Sequence, residues 1–121
     1  MLPTPRADLK PNTAAFEHNP LVKPTGFREY DARWLFPEEI NLMGLNAVGL
    51  GLAQLFTDRG VPKRFVVGHD FRWYSGSVKQ ALITGLLAGG AEVHDIGLAL
   101  SPMAYFAQFA LEVEEIGRAH V

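Results

Sequence analysis

The sequence contains no cysteine, which excludes disulfides and thiolate metal sites and suits a reducing compartment. No uninterrupted apolar run reaches the roughly 18 residues that a membrane span needs, and the opening Met1-Leu2-Pro3-Thr4-Pro5-Arg6 has no apolar signal core. An excess of one charge is missing too. Eleven Lys and Arg against 13 Asp and Glu leave a formal net charge of −2, which gives no sign of nucleic-acid or membrane binding. There is no G-x-x-x-x-G-K-[ST] run and no G-x-G-x-x-G fingerprint; Gly89-Gly90-Ala91 precedes a strand instead of following one. P-loop and dinucleotide readings therefore fall. The absences leave a cytoplasmic protein as the expectation. At 121 residues and 48% hydrophobic content, the chain can build one real core but hardly two.

What is present centres on Arg64 to Gly97. Arg64-Phe65-Val66-Val67-Gly68 is a short apolar run rich in β-branched and aromatic residues, expected of a strand buried on both faces. It stops at the polar loop His69-Asp70-Phe71-Arg72. Ser75 to Gly89 reads as helix, with a capping-box pattern at Ser77-Val78-Lys79-Gln80 and an apolar face of Val78, Ala81, Leu82, Gly85 and Leu86. Glu92 to Ile96 reads as a second strand, which completes a βαβ unit. Ligands of such sheets sit beyond the carboxyl ends of the strands, so His69, Asp70 and Arg72 are the first candidates for function. The plainer alternative is that Asp70 and Arg72 pair locally and cap the helix. His94 and Asp95 face opposite sides of their strand and make poor co-ligands.

The remaining chain is less explicit. Met1 to Thr25 holds five of the eight prolines and predicts an extended arm draped over the domain. Gly26 to Arg33 is a candidate first strand with the loop after it. Phe36-Pro37-Glu38-Glu39 predicts a helix start, with the helix running to about Phe56 and ended by Thr57-Asp58-Arg59-Gly60. The cost of Gly44, Gly49 and Gly51 in that helix makes sense if they allow close approach to a sheet. Ser101-Pro102 opens a third helix through Met103, Phe106 and Phe109, with Ser101 as its cap, since no base is apparent to make it a nucleophile. After Leu111 a further strand is expected and does not come.

Three segments together resemble one family: Phe27-Arg28-Glu29-Tyr30-Asp31-Ala32-Arg33, then Gly68-His69-Asp70-Phe71-Arg72-Trp73-Tyr74-Ser75-Gly76, then Asp95-Ile96-Gly97-Leu98-Ala99-Leu100-Ser101-Pro102. They look like the F-R-x-Y-D-x-R-G, G-x-D-x-R…S-G and D-x-G…[TS]-P segments of the first domain of the α-D-phosphohexomutases, in the phosphomannomutase/phosphoglucomutase branch. Trp34 stands where that family has a glycine. The resemblance implies a three-layer α/β/α fold with a mixed sheet, truncated before its fourth strand. It implies a phosphoserine enzyme that interconverts hexose 1- and 6-phosphates through a hexose bisphosphate, with Mg²⁺ held by aspartates of the next domain. By motif position, Tyr30 and Arg33 would line the phosphoserine cleft, and Asp70 and Arg72 would hold their loop in shape. The catalytic serine belongs to a T-x-S-H-N-P loop that this sequence does not contain. His18-Asn19-Pro20 mimics its end, but Glu17 stands where the serine would be.

On this reading residues 1–25 are a Pro-rich arm and 26–115 a partial phosphohexomutase domain I, inactive alone. The other reading is a non-catalytic α/β binding or assembly module. Ile116-Gly117-Arg118-Ala119-His120-Val121 suits neither helix nor strand. It back-translates as ATC GGA AGA GCA CAC GTC, one frame of a common short-read library adapter, so 116–121 is expected to be a non-native tail.

Overall fold

The computed structural model describes residues 10, 11, 13–27, 32–99, 103 and 106, and the backbone of 115–119. The arm is not simply extended. It carries a short helix, α1 (Ala14–Glu17), capped by Thr13, whose side chain accepts a hydrogen bond from the Phe16 N–H. Phe16, Leu21 and Val22 are buried, and Val22 pairs in a single antiparallel bridge with Ile40. The arm therefore belongs to the core through its apolar side chains.

Where a first strand and its loop were expected over Gly26–Arg33, the described residues show a 3-10 turn at Pro24–Gly26 and a single antiparallel bridge, Phe27↔Ala32; residues 28–31 lie outside the described residues. Trp34, the residue that departs from the family pattern, folds back over this turn. Its indole Nε1 donates to the Lys23 carbonyl at 2.7 Å, and a Cβ on Gly26 would overlap the ring. Trp34 is 6% exposed and packs with Val22, Ile40, Leu45 and Val78.

Helix α2 (Leu42–Asp58) starts six residues later than Phe36. Glu39, placed in the expected helix start, instead closes a turn, its N–H donating to the Leu35 carbonyl at 2.8 Å and its carboxylate accepting from the Leu35 N–H at 3.0 Å. The true cap is Asn41, fully buried. Its side-chain oxygen accepts from Gly44 N–H at 2.8 Å and Leu21 N–H at 3.0 Å, while its amide donates to the Phe16 and Asn19 carbonyls at 3.0 and 2.6 Å. One side chain thus caps α2 and ties the arm to it. At the other end Val61 N–H reaches the Phe56 carbonyl as Gly60 turns through φ +66°, the closure a left-handed residue allows.

Strand β1 (Arg64–His69), helix α3 (Ser75–Ala88) and strand β2 (Glu92–Leu98) follow the predicted order. The helix begins at Ser75, as read from the sequence, so Ser77 lies inside its first turn and is not its cap. Its Ncap, Tyr74, makes no side-chain capping bond. β1 pairs in parallel with β2 on one side and, on the other, with β3 (Glu115–Ala119), giving the order β2-β1-β3. That third strand corrects the expectation that no strand forms after Leu111. Backbone pairing reads hydrogen-bonding groups, not side-chain identity, so the free edge of β1 accepts a segment with no strand pattern. The three described strands are parallel; the antiparallel contribution is limited to the two isolated bridges.

α2 and α3 pack against one another and cover one face of β1, where Phe65, Val67, Leu82, Leu86, Ala53 and Ala91 form a core cluster. Val66, on the opposite face, is fully buried as well. β1 is thus covered on both sides, as the three-layer α/β/α fold requires. Met103 and Phe106 are helical; Ser101, Pro102, Tyr105 and Phe109 lie outside the described residues.

The glycines of α2 serve an approach that differs from the expected one. A Cβ on Gly49 would lie 2.5 Å from the Leu82 carbonyl oxygen on α3, and one on Gly44 would overlap the Leu21 carbonyl. Gly85 on α3 faces the Asn46 carbonyl in the same intimate way. The close partners are therefore α3 and the arm, not the sheet. Gly51 has open space around it.

Candidate functional site

The carboxyl ends of β1 and β2 lie side by side, and each ends in a loop organised by one carboxylate. After β1, Asp70 accepts hydrogen bonds from the Arg72 N–H at 3.1 Å and from the Ser75 hydroxyl, and it pairs with the Arg72 guanidinium at 3.3 Å. This is an Asx-type turn locked to the first residue of α3. Asp70 and Arg72 are thus brought together as an ion pair, and the link to the helix runs through the Ser75 side chain.

Within β2, near its carboxyl end, the corresponding group is Asp95. The register between β1 and β2 slips here: Val67 faces Asp95, but Gly68 faces Gly97, so Ile96 is the extra residue of a bulge. Gly97 adopts φ +74°, and Asp95 accepts its N–H at 2.9 Å. The strand then rejoins its neighbour as Ala99 N–H donates to the His69 carbonyl at 2.9 Å. The D-x-G spacing has a direct physical basis: a carboxylate two residues before a glycine that must turn left-handed.

Asp95 is also held by Lys79 of α3, whose Nζ lies 3.1 and 3.0 Å from its two carboxylate oxygens. Partial burial pushes the Asp95 carboxyl upward, yet the Gly97 N–H, the Lys79 bond and charge, and nearby His69 together outweigh it. The group ends below its ordinary value. His94 turns the other way and meets Glu92 at 2.9 Å. Among the described residues no group of three or more His, Cys, Asp or Glu is placed to hold a metal ion.

Between the two loops opens an apolar pocket of about 270 Å³ lined by Asp70, Phe71, Leu98, Ala99 and Met103. Phe71 is 87% exposed at its rim. Its lining suits apolar packing more than a phosphate.

The other candidate residues are less fully placed. Tyr30 lies outside the described residues. Arg33 is exposed, and its N–H donates to the Gly26 carbonyl at 2.8 Å. Three residues on, the Phe36 ring stacks on Tyr74 of the second motif at 5.1 Å. His18-Asn19-Pro20 has a structural role: His18 Nδ1 bonds the Ala14 carbonyl at 2.8 Å and Asn19 Nδ2 the Ala15 carbonyl at 2.7 Å. Ser75 and Lys79 were not legible as site residues. The available signal was a charged residue on a helix face otherwise made of Val78, Leu82 and Leu86, where a buried lysine requires a partner.

Residues 24–116 match the sequence profile of phosphoglucomutase/phosphomannomutase, alpha/beta/alpha domain I. The chain is 37% identical over 90 residues to a phosphomannomutase of Escherichia coli, which covers 74% of this chain and 19% of that protein. It is 39% identical over 80 residues to a protein named phosphohexose mutases of Xanthomonas campestris pv. campestris (strain B100), covering 66% and 17%. To a phosphomannomutase of Klebsiella pneumoniae it is 36% identical over 90 residues, covering 74% and 55%. The chain thus spans about a fifth of the length of the first two relatives. With the profile matched along most of its length and its D-x-R and D-x-G motifs shaping adjacent strand ends, the chain belongs to the phosphoglucomutase/phosphomannomutase family, as its α/β/α domain I.

Proposed function

We propose that this chain is the N-terminal part of a phosphomannomutase/phosphoglucomutase that interconverts hexose 1- and 6-phosphates. In this reading a phosphoserine gives its phosphoryl group to the sugar phosphate, a hexose bisphosphate forms and turns over, and the other phosphate returns to the serine. The observation that carries it is the profile match over 24–116, with two of the motif loops built side by side on one sheet edge. Tyr30 and Arg33 would border the phosphoserine cleft, where positive charge stabilises a transferring phosphoryl group. Asp70 and Arg72 would keep the adjoining loop in shape. Mg²⁺ would be held by aspartates of a following domain, and the serine would lie beyond residues 1–121.

Two experiments test this. The open reading frame at the source locus, expressed whole, should interconvert mannose or glucose 1- and 6-phosphates; absence of turnover on either sugar refutes the proposal. The 121-residue chain alone should show none, and Mg²⁺-dependent turnover above a boiled control would contradict its assignment as a part without the nucleophile.

The tail belongs to the same proposal: residues 116–121 are adapter read-through, and native sequence ends at Glu114 or within the Glu115 codon. The pairing of Glu115–Ala119 with β1 is the observation that favours the stand-alone module instead. Long-read sequencing of the locus decides between them. A continuation with T-x-S-H-N and later D-x-D-x-D supports the enzyme, whereas an encoded Ile116–Val121 followed by a stop supports the module.

A further inference from the structure

Two polar side chains interrupt the buried face of α3, and each meets a carboxylate from a different strand end. Ser75 is fully buried and Lys79 is 9% exposed. They stand one turn apart, so they share a face. Ser75 takes Asp70 from the loop after β1, and Lys79 takes Asp95 from the bulge of β2. We propose that Lys79 is a positioning residue: with Ser75 it forms a clamp on α3 that holds both carboxylates and thereby sets the two loops bordering the apolar pocket.

A lysine ammonium this buried needs a partner, and Asp95 supplies both oxygens. Asp95 in turn holds the Gly97 N–H, and the left-handed turn at Gly97 lets Ala99 return to the His69 carbonyl. Leu98 and Ala99 then form one wall of the pocket, opposite Asp70 and Phe71. If Lys79 lets go, Asp95 loses its anchor to the helix, and the bulge keeps only its own local bond. The groups that face Asp95 are Lys79 from α3 and His69 from β1; on β2 itself, Glu92 and His94 engage one another. What the clamp would serve, alignment of a phosphoserine cleft, rests on the mutase reading, but its geometry does not.

The test is amide hydrogen exchange on the 121-residue chain and its Lys79→Met variant, which keeps the apolar stem and removes the ammonium. Exchange at Gly97 and Ala99 should accelerate on the order of tenfold, the scale of one charge-assisted hydrogen bond, while Val66 and Val67 in the core change by less than about twofold. Unchanged exchange at Gly97 overturns the proposal. So does uniform acceleration of strand and loop, which would make Lys79 an ordinary core residue. A second readout needs no variant: the Gly97 amide shift of the unaltered chain should follow a carboxylate titration below the usual aspartate range. A Gly97 amide that ignores that titration, or that exchanges like an open one, also overturns the clamp. None of these readouts measures turnover, so failure here and failure of the mutase reading are separate results.

Discussion

Two glycines two positions apart on α2 should respond to the same substitution with opposite signs. In an isolated helix, Gly→Ala is favourable by about 1 kcal/mol. At Gly51 the new methyl meets nothing within 4 Å, so Gly51→Ala should stabilise by up to about 1 kcal/mol. At Gly49 the methyl would lie 2.5 Å from the Leu82 carbonyl oxygen and 2.9 Å from the Leu86 nitrogen. Those are backbone atoms of a packed helix, with no flexible side-chain end to swing away, so α3 must move as a body. Overpacking of this kind costs about 1–3 kcal/mol, and a backbone obstacle places it near the upper end. After the propensity gain, Gly49→Ala should destabilise by about 2 kcal/mol. The difference between the variants is then about 3 kcal/mol, or roughly 10 °C in midpoint for a domain of this size. Urea and thermal unfolding followed by far-UV circular dichroism would measure it. If Gly49→Ala proves as stable as Gly51→Ala, the α2–α3 contact is not the close one described, and the reasoning fails.

Asn41→Ala leaves two carbonyls and two N–H groups of the arm and α2 without their partner; a loss of about 3 kcal/mol and faster proteolysis between Thr13 and Val22 are expected, and an unchanged digestion pattern would count against the arm being tied down. Asp70→Ala removes the acceptor shared by Arg72 and Ser75 and should cost about 2 kcal/mol, measured as a lower urea midpoint. Asp95 sits below its ordinary value when folded, so its contribution is complete above the unfolded value and disappears as pH falls through the folded one. The urea midpoint should therefore drop on acidification below the usual aspartate range, and Asp95→Asn should flatten that drop; parallel acid limbs for the two proteins would contradict it.

The sequence by itself determined the elements whose information is local. β1 was legible because an unbroken β-branched and aromatic run between polar residues has few other readings, and α3 because Val78, Leu82, Gly85 and Leu86 recur at helical spacing. Two of the three motif segments were legible for a related reason: Asp70 acts on Arg72 and Asp95 on Gly97, each two residues away, so their spacing is the mechanism. What only the tertiary structure decided were outcomes that depend on a distant partner. Asn41, not the Pro37 turn, starts α2 because its side chain is also claimed by Phe16, Asn19 and Leu21. Gly49 is small for the sake of Leu82, 33 positions later in the chain. Trp34 replaces a glycine by lying over Gly26 and reaching back to Lys23. β3 forms because the open edge of β1 offers hydrogen bonds to whichever backbone arrives there. Lys79 was the least legible of all: in sequence it is one charge on a helix, and only the fold brings Asp95, 16 residues on, to within 3.1 Å of it.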